Sequence, residues 1–492
     1  MLSVHTTPGR PVFARTILAL VTLAAQVVTI RSARGANAVV ARPNILLVVA
    51  DDLGWADVGW HGGFGKTPVM DRLVREGVEL DRHYVQPVCT PTRTALLTGR
   101  YPSRFGPQAL VPSNRRAVPL GTVTLAEALR RAGYATFQAG KWHLGSRPEW
   151  GPTHYGFDHG YGSLTGAADP VTHNYRPGHA FTDTWHRDGV PLREEGNATE
   201  LVTAEAVRRI RESAPQPGAA RRPWFVYVPF HAVHNPVDAP SEFKRLYDGV
   251  RFDPDDVRHE SRLRLAAMVA QLDASIGRLV AAVDDTGQRA DTLIVFTSDN
   301  GGIESVNNPY DSAVPPSPFN SENDPLRGQK GQLYEGGIRV CAFANWPGRL
   351  VPRKVTAPMH AVDWLPTLLP LAGAQPPEGV ALDGVDRWPA LVSDAPVPRG
   401  RPIVVRSADG VAVIDEGVKL ILSDAVPAKK DQPGSGKAPN EELYYLSQDP
   451  FEKSDCRSPE DRPTIERLRA IAVAERAKDV TELPADLVGA PK

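Results

Sequence analysis

The segment with the clearest chemical potential is residues 88–100, which reads Val-Cys-Thr-Pro-Thr-Arg-Thr-Ala-Leu-Leu-Thr-Gly-Arg. Cys89 alone would most often be a small buried residue of a hydrophobic core. Here Pro91 restricts the backbone, Arg93 brings a fixed positive charge, and the leucine pair at 96–97 predicts the start of a buried helix. A helix N-terminus close to Cys89 would attract an anion, so the segment predicts a reactive cysteine beside an anion site.

Four oxygen-bearing side chains form a second candidate group, and they follow two distant apolar runs: Asp51, Asp52, Asp299 and Asn300. If the two runs are neighbouring strands, these oxygens converge and suit a hard divalent cation. Ca²⁺ tolerates irregular oxygen geometry, whereas Mg²⁺ prefers a strict octahedron. No histidine or cysteine is placed here as in a structural zinc site. Each pair taken alone is read more simply as a helix cap or a turn, because Asp and Asn are favoured there.

Cationic and titratable side chains make up a third group: Lys141, His143, His234 and Lys330. Lys141 and His143 share residues 140–145, where the lysine would attract an anion and the histidine would transfer protons near neutral pH. Taken singly, these residues are more simply solvated or structural side chains. Their interest depends on a fold that brings them to Cys89.

Continuous apolar runs predict the strands that position these groups, at residues 43–50, 134–140, 224–230 and 292–298. Such runs are typical of strands buried on both faces of a parallel sheet. Helical patterns alternate with them, at residues 124–131, 203–212 and 258–283. The sequence therefore predicts an α/β fold with a mostly parallel central sheet and a polar site beyond the carboxyl ends of its strands.

The pattern changes near residue 376, after which strand-like runs are short, at residues 402–406, 410–414, 418–422 and 442–446. A terminal helix is expected at residues 459–478, and the Lys-, Gly- and Pro-rich residues 427–439 predict a mobile loop. We expect a signal peptide at residues 1–38, the site-bearing domain at residues 39–375, and a small C-terminal α+β subdomain at residues 376–492. That subdomain would be an antiparallel sheet packed by a helix.

Charge and targeting patterns limit the partners of the 492-residue chain. Its formal net charge of −1 argues against nucleic acid as a main partner. The N-terminus has the form of a secretory signal, with basic Arg10 and Arg15, an apolar core at residues 16–30 and the cleavage pattern Ala36-Asn37-Ala38. We expect an exported protein, periplasmic or secreted, without a stable membrane anchor after cleavage; an uncleaved anchor is the alternative. No later stretch is expected to span a bilayer.

Cysteine usage gives no disulfide framework, because the chain has only Cys89, Cys341 and Cys456. If Cys89 serves chemistry, the other two could form at most one bridge. We expect both instead as small buried apolar residues.

The motif Cys-x-Pro-x-Arg followed by Leu-Leu-Thr-Gly-Arg resembles the signature of the type I sulfatases, in which a maturation enzyme oxidises the cysteine to formylglycine. Other segments resemble this family in the expected order, in particular its arylsulfatase B (N-acetylgalactosamine-4-sulfatase) branch: residues 50–55, 140–145, 232–236, 298–302, 326–339, 363–367, 382–386 and 443–450. The resemblance implies an alkaline-phosphatase-like fold and a sulfuric ester hydrolase. Its partners would be a sulfated carbohydrate or aryl sulfate substrate and a formylglycine-generating maturation enzyme.

The resemblance also implies roles for the candidate residues. Calcium would be held by an oxygen of the modified Cys89 and by Asp51, Asp52, Asp299 and Asn300. Arg93 and His143 would steady the formylglycine hydrate, and the sulfate and leaving oxygen would be surrounded by Lys141, His234 and Lys330. One hydroxyl of the hydrate would attack sulfur with help from Asp299, and His234 or Lys330 would protonate the departing alcohol. His143 would then help to expel sulfate and restore the aldehyde.

Departures from the family pattern lie at one motif position and in two loops. Thr92 stands where the family commonly has serine. The resemblance weakens at residues 304–324 and at residues 157–196, which contain His159, His173, His179 and His186; such long loops usually form a pocket rim and select the substrate. Two other functions stay open: a phosphoester or phosphonate hydrolase on the same scaffold, and a catalytically silent sulfated-glycan-binding protein that keeps Cys89 as a thiol.

Overall fold

The structure is a computed structural model that describes residues 42–176, 181–218, 220–304, 321–393, 397–425 and 438–488. The predicted signal peptide lies outside these residues, as do His179 and most of the predicted loops 304–324 and 427–439. Those expectations therefore stay predictions.

The described residues form two larger sheets and one strand pair. The strands are β1 (Asn44–Ala50), β2 (Val78–Leu80), β3 (His83–Tyr84), β4 (Ala135–Ala139), β5 (His159–Ser163), β6 (Trp185–Arg187), β7 (Val190–Pro191), β8 (Trp224–Pro229), β9 (Thr292–Ser298), β10 (Ala342–Asn345), β11 (Arg353–Val355), β12 (Met359–His360), β13 (Ile403–Ser407), β14 (Gly410–Asp415), β15 (Val418–Ser423) and β16 (Asn440–Tyr445). The main sheet has the order β11-β2-β10-β9-β1-β8-β4-β5-β6-β7, the C-terminal sheet the order β13-β14-β15-β16, and β12 pairs with β3.

Helices alternate with these strands along the chain. The α-helices are α1 (Pro68–Arg75), α2 (Cys89–Thr98), α3 (Leu125–Arg131), α4 (Ala198–Glu212), α5 (Ser241–Arg245), α6 (Asp256–Asp285), α7 (Glu335–Ile338), α8 (Trp364–Ala372), α9 (Trp388–Val392) and α10 (Arg462–Arg476). Short 3₁₀ helices lie at Trp55–Asp57, Gly59–His61, Pro102–Phe105, Pro107–Ala109, Pro148–Trp150, Pro152–Tyr155, Arg289–Asp291, Ala361–Asp363, Pro459–Asp461 and Ala485–Leu487. Helix α3 has a side-chain cap, since the Thr124 hydroxyl accepts a hydrogen bond from the Glu127 amide at 3.2 Å.

Strand β1 lies at the centre of the main sheet, in parallel between β8 and β9. All seven of its residues are buried, and their side chains alternate between the two faces of the sheet. Ile45, Leu47 and Val49 join the hydrophobic core on one face, whereas Leu46, Val48 and Ala50 join the core on the other. Burial on both faces explains why the sequence of β1 is continuously apolar. The predicted α/β class with its mostly parallel sheet is confirmed.

Helices cover both faces of the main sheet. The first core contains residues of α2, α3 and α8, and the second contains residues of α1, α4 and α6. Helix α6 is by length and composition able to cross a bilayer, contrary to our expectation that no later stretch would be. Because 78% of its most apolar window is buried inside the fold, its apolar character is accounted for by core packing.

The C-terminal residues form the predicted antiparallel sheet and helix. Strands β13 to β16 pair in sequence order, and α10 packs on β14 and β15. Side chains such as Val411, Leu420 and Leu468 belong to the same hydrophobic core as the first face of the main sheet. The small sheet is therefore packed against the main one and shares its core.

Two expectations about local structure need correction. Within the described part of residues 157–196, residues 159–163, 185–187 and 190–191 form β5, β6 and β7, so they extend the main sheet and are not rim loop. The expectation that both Cys341 and Cys456 are buried holds only for Cys341, because Cys456 is half-buried. All three cysteines, including Cys89, are free thiols in this structure.

Candidate active site

The carboxyl ends of β1 and β9 bring the predicted oxygen group together. Ala50 pairs with Ser298 in parallel register, so the residues that follow each strand emerge side by side. The Asp52 amide donates to Asp299 Oδ1 at 3.3 Å, and Asn300 Nδ2 donates to Asp52 Oδ1 at 2.7 Å. Two chain segments almost 250 residues apart thus meet in one buried cluster.

Two oxygens of this cluster are buried without a hydrogen-bond partner among the described residues, namely Asp51 Oδ1 and Asn300 Oδ1. A buried oxygen left unpaired costs free energy unless a ligand satisfies it. Carboxylate and amide oxygens are the ligands that Ca²⁺ prefers. Ligand atoms of Asp51, Asp52 and His234 also lie within 4.8 Å of one another. The residues present therefore fit a hard divalent cation.

Three cations neutralise the three carboxylates; Lys141 and Arg93 are buried, and Lys330 is half-buried. Their ion pairs are Lys141 Nζ with Asp51 Oδ2 at 2.6 Å, Lys330 Nζ with Asp52 Oδ1 at 2.5 Å, and Arg93 with Asp299 Oδ2. The arginine donates to that oxygen through both Nε and Nη2, at 3.0 and 2.7 Å, and its Nη1 donates to the Lys141 carbonyl at 2.9 Å. This arrangement fixes Arg93 in one orientation.

Burial and charge shift the pKa values of the carboxyl groups in different directions. Burial raises the pKa of Asp51, and burial together with the Asp51 charge raises that of Asp299 to about 6. Burial acts in the same sense on Asp52, but Lys330 and His234 outweigh it and hold its pKa below the ordinary value. Conversely, Asp52 and its neighbours raise the pKa of Lys330 against the effect of burial.

Cys89 is the first residue of α2 and is buried. The sequence predicted the helix from about residue 96, but it begins seven positions earlier because proline is tolerated in the first turn, where amides lack helical partners anyway. Burial raises the pKa of the Cys89 thiol, and Lys141, Lys330, Asp299 and Asp51 act on it electrostatically. The helix N-terminus adds exposed amide groups that favour an anion at this position.

Two histidines complete the cluster. His143 has a positive φ of 55° and is buried, and its Nδ1 has no hydrogen-bond partner among the described residues. His234 Nε2 lies 3.7 Å from Asp52 Oδ2, and its Nδ1 lies 2.7 Å from the Asn235 carbonyl oxygen, to which it donates in the matching tautomer. Burial lowers the pKa of both, that of His234 to about 3, so both imidazoles are neutral at pH 7.

The structure thus brings all predicted site residues to one place: Asp51, Asp52, Cys89, Arg93, Lys141, His143, His234, Asp299, Asn300 and Lys330. Sequence reasoning missed His231, which is buried near Lys141 and contacts Ser163 Oγ through Nε2 at 2.6 Å. The sequence signal that could have identified His231 is its position just after β8 and three residues before His234.

Sequence reasoning also missed Gly166, because no local pattern marks it. A Cβ atom added to Gly166 would lie 2.3 Å from His143 Nε2, so the missing side chain makes room for the imidazole. The departure from the family pattern at Thr92, in contrast, is explained by the hydrogen bonds of its hydroxyl. Its hydroxyl donates to the Gln86 carbonyl and accepts from the Gln86 amide, both at 3.0 Å, which a serine hydroxyl would do equally well.

The three histidines of residues 157–196 that the structure describes do not line a rim in the way we expected. His159 contacts Asp188 and Glu205 at 2.8 Å each, His173 stacks on Trp185 with ring centroids 4.6 Å apart, and His186 is buried. These three are structural side chains of the sheet edge.

Comparison with known proteins gives matches over most of the described chain. The profile of the Sulfatase family matches residues 43–374. Arylsulfatase J of Mus musculus is 35% identical over 369 residues, which cover 73% of this chain and 57% of that protein. Arylsulfatase A of Bos taurus is 36% identical over 383 residues, which cover 73% of this chain and 69% of that protein. The chain thus spans 57–69% of the length of these two relatives.

The similarity extends to a solved structure. A crystal structure of Ps i-CgsB in complex with k-i-k-neocarrahexaose superposes with a TM-score of 0.76 at 29% identity, covering 89% of this chain and 94% of that one. The predicted alkaline-phosphatase-like architecture is confirmed at the level of the fold. A special closeness to arylsulfatase B is not confirmed and stays a prediction.

Proposed function

Because the chain belongs to the sulfatase family, we propose that it hydrolyses sulfate esters of sugars through Cys89 after its oxidation to formylglycine. The observation that carries this proposal is the buried cluster at the N-terminus of α2, where three cations and an oxygen group surround one cysteine. A sulfate ester is an anion whose negative charge grows during cleavage, and preorganised cations stabilise such charge in a site shielded from water. The glycan bound to the related solved structure supports a sulfated sugar as substrate.

Two groups would complete this site. Ca²⁺ would be held by Asp51, Asp52, Asp299 and Asn300, and it would neutralise negative charge on the sulfate oxygens. Formylglycine at position 89 would supply, as its hydrate, the attacking hydroxyl that a thiol lacks.

The chain's own residues have separable tasks in this proposal. Lys141 and Lys330 hold the sulfate through charge-assisted hydrogen bonds, and Arg93 locks Asp299 in a fixed orientation. His143 Nδ1 has no hydrogen-bond partner in the part of the chain that the structure describes, and it would exchange a proton with the group at position 89. His234 and Lys330 both lie beside Asp52, where they would donate to the leaving oxygen.

The deciding experiment measures the mass of the tryptic peptide of residues 83–93 from protein produced together with an active maturation enzyme. We expect a loss of mass that matches conversion of thiol to aldehyde, accompanied by turnover of an aryl sulfate in preference to an aryl phosphate. Cys89→Ala serves as the inactive control. An unmodified thiol, with the maturation enzyme shown active on another substrate peptide, would contradict the proposal, as would a preference for the phosphate.

Cation binding gives a prediction that does not depend on turnover. Chelation should lower the melting temperature of wild type, and added Ca²⁺ should restore it. At a hundredfold excess over its dissociation constant, Ca²⁺ should raise the free energy of unfolding by about 2.7 kcal/mol. Asn300→Ala should abolish this response, because it removes a buried oxygen that accepts no hydrogen bond from any described residue. The control Asn440→Ala changes an exposed asparagine of β16 and should keep it. If Ca²⁺ raised the melting temperatures of both variants equally, the ion would bind at a site that does not include Asn300.

A further inference from the structure

A cavity of about 630 Å³ lies at the end of α2 that is opposite to Cys89. Its walls come from the segment that follows α2, from short segments around residues 382 and 402, and from the C-terminal part of α10. Because α2 has 10 residues and is about 15 Å long, the cavity is separate from the catalytic cluster, and none of its lining residues has a part in the mechanism above. Its volume falls within the roughly 300–1,000 Å³ that small-molecule sites occupy.

The basic side chains that line this cavity outnumber the acidic ones. Among the described residues, the lining contains four of the first kind and two of the second: Arg100, Arg104, Arg401 and Lys478, and Asp383 and Glu475. Arg104 pairs with both acids, and its Nη2 lies 3.0 Å from Asp383 Oδ1. Lys478 Nζ lies 2.5 Å from Glu475 Oε1. Both carboxylates are thus neutralised within the wall, and two arginines are left as positive charges in excess.

Arg100 lacks an ion-pair partner in the described part of the chain. It is half-buried, its Nε has no hydrogen-bond partner among the described residues, and its guanidinium lies 5.1 Å from the centre of the Phe105 ring. Burial lowers the pKa of Arg100. Burial acts in the same sense on Arg104, but Asp383 and Glu475 outweigh it and raise the pKa of that residue. An oxyanion beside Arg100 would therefore supply an interaction that the described residues do not.

Arg401 is the second cation in excess. Its Nη1 donates to the Leu382 carbonyl oxygen at 2.9 Å, which holds the guanidinium at the cavity wall. A guanidinium has five N–H donors, so this bond leaves others for a ligand. The acid nearest in the chain to Lys478, Asp479, lies outside the lining and is shared by Arg104 and Arg406, at 3.3 and 3.0 Å. It therefore does not remove the excess of positive charge.

The rest of the lining is largely apolar. Leu382 and Ile471 pack on the hydrophobic core but are only partly buried, so part of each side chain is exposed at the cavity. The Tyr101 hydroxyl accepts a hydrogen bond from the Val404 amide at 3.0 Å, which fixes the ring in the wall. An apolar body that covers these side chains gains free energy by removing them from water.

We propose that this cavity is a second binding site, which takes a small organic anion with one oxyanion group on an apolar body. The oxyanion pairs with Arg100, Arg401 adds a second positive charge, and the apolar body covers Leu382 and Ile471. The site is independent of the proposed sulfatase function, because it uses no residue of the catalytic cluster.

Isothermal titration calorimetry of the full chain with 2-naphthoate tests this proposal, because this anion is apolar and singly charged and has no ester to cleave. We expect wild type to bind it at least about tenfold more tightly than the neutral 2-naphthamide. Arg100→Gln should weaken naphthoate binding by a similar factor, because it removes the charge that pairs with the carboxylate. The control Arg462→Gln changes an arginine of α10 whose side chain is 81% exposed, and it should leave the affinity unchanged.

A second variant tests the same cavity without changing Arg100. Ala474 lines the cavity and is exposed on α10, so Ala474→Trp should place an indole ring in the binding space with little effect on the melting temperature. Naphthoate binding should again fall at least about tenfold. The neighbouring Val473 is 61% exposed and outside the lining, so the control Val473→Trp should bind as wild type does.

Full affinity in either variant, once it is shown to be folded, would overturn the proposal. Equal affinity of wild type for the acid and the amide would do the same, as would no binding by wild type at millimolar concentrations. If Arg100→Gln does not fold, Ala474→Trp decides alone. Turnover of aryl sulfates does not enter these outcomes, so the second site is tested whether or not the proposed function holds.

Discussion

At the residue scale, His143 depends on the absence of a side chain at Gly166. The imidazole occupies the space that a Cβ atom would need, 2.3 Å from its Nε2. His143 itself has a positive φ, which only the surrounding structure can hold for a residue with a side chain. The reactive geometry is thus set partly by a residue with no chemistry of its own.

Gly166→Ala should displace the His143 ring while the fold persists, because the atom to be moved is the end of a side chain. We expect kcat for an aryl sulfate to fall about 100-fold or more, as for loss of a general acid–base group, with a small change in melting temperature. Gly348→Ala is the matched control. Its added Cβ meets open space, but its φ of 75° strains alanine, so stability should fall slightly and kcat should not. Full activity of Gly166→Ala would show that His143 does not need this position.

Sequence reasoning located the charged and oxygen-bearing residues because each one follows an apolar strand or belongs to a marked motif. Asp51 and Asp299 are examples, since the ends of β1 and β9 were predictable from their apolar runs. Gly166 was not predictable, because its role is a steric contact with the His143 ring that no local sequence pattern marks. The early start of α2 was missed because its first turn carries proline and threonines instead of an apolar pattern.

At the element scale, the C-terminal sheet holds the segment that carries Lys330. Lys419 of β15 is fully buried and contacts Glu335 Oε1 at 3.0 Å and Glu452 Oε1 at 2.7 Å. The Glu335 amide donates to Glu452 Oε2 at 2.6 Å, and Arg327 donates to the Tyr444 hydroxyl at 2.8 Å. The predicted boundary near residue 376 therefore marks a change of sequence pattern, and residues on both sides of it help to position Lys330.

Lys419→Met should destabilise the protein by about 3–5 kcal/mol, because it leaves the buried Glu452 without its cation and Glu335 with only Arg339, at 3.7 Å. Burial already raises the pKa of Glu452 to about 7 with the lysine in place. Adding Glu335→Gln and Glu452→Gln should recover much of the loss, since no buried charge then remains unpaired. Urea unfolding measures both effects.

The control for this series is Lys453→Met, which removes an exposed lysine next to Glu452. It should change the free energy of unfolding by less than about 0.5 kcal/mol. A similarly small effect of Lys419→Met would contradict the assigned role of the buried triad.

Among the elements, the long buried strands β1, β8 and β9 were predictable, whereas β2, β10 and β11 were not. The latter strands have three or four residues each, too few to show a periodic pattern. The same shortness hid β6 and β7, whereas β5 was missed because its sequence His-Gly-Tyr-Gly-Ser is not an apolar run. The pairing of these strands depends on their neighbours in the sheet, and the pattern of one chain segment does not reveal which strands those are.

At the scale of the whole molecule, buried neutral histidines make stability depend on pH. In His83, Nε2 accepts from Trp364 Nε1 at 2.9 Å, and Nδ1 lies 3.2 Å from the Thr297 hydroxyl. Burial lowers the pKa of His83 to about 3. The unfolded chain, with a histidine pKa near 6.5, therefore binds the proton first, and stability is lost as the pH falls below about 6.5.

Between pH 7 and pH 5, His83 should account for about 2 kcal/mol of lost stability, as follows from one pKa unit being worth about 1.4 kcal/mol. His83→Gln should reduce the pH slope by that amount in urea unfolding curves. The exposed His154 serves as the control, and His154→Gln should leave the slope unchanged. Identical slopes for wild type and His83→Gln would mean that His83 is protonated in the folded state.

The matched ion pairs of the site have a consequence for how its ligands bind. Three carboxylates face three cations, so the side chains of the cluster are together close to electroneutral in surroundings that are largely buried. A divalent cation arriving alone upsets that neutrality, and so does a singly charged sulfate ester arriving alone, whereas their opposite charges partly cancel when both are bound. Metal and substrate should therefore show positive thermodynamic linkage, each tightening the binding of the other by the same factor.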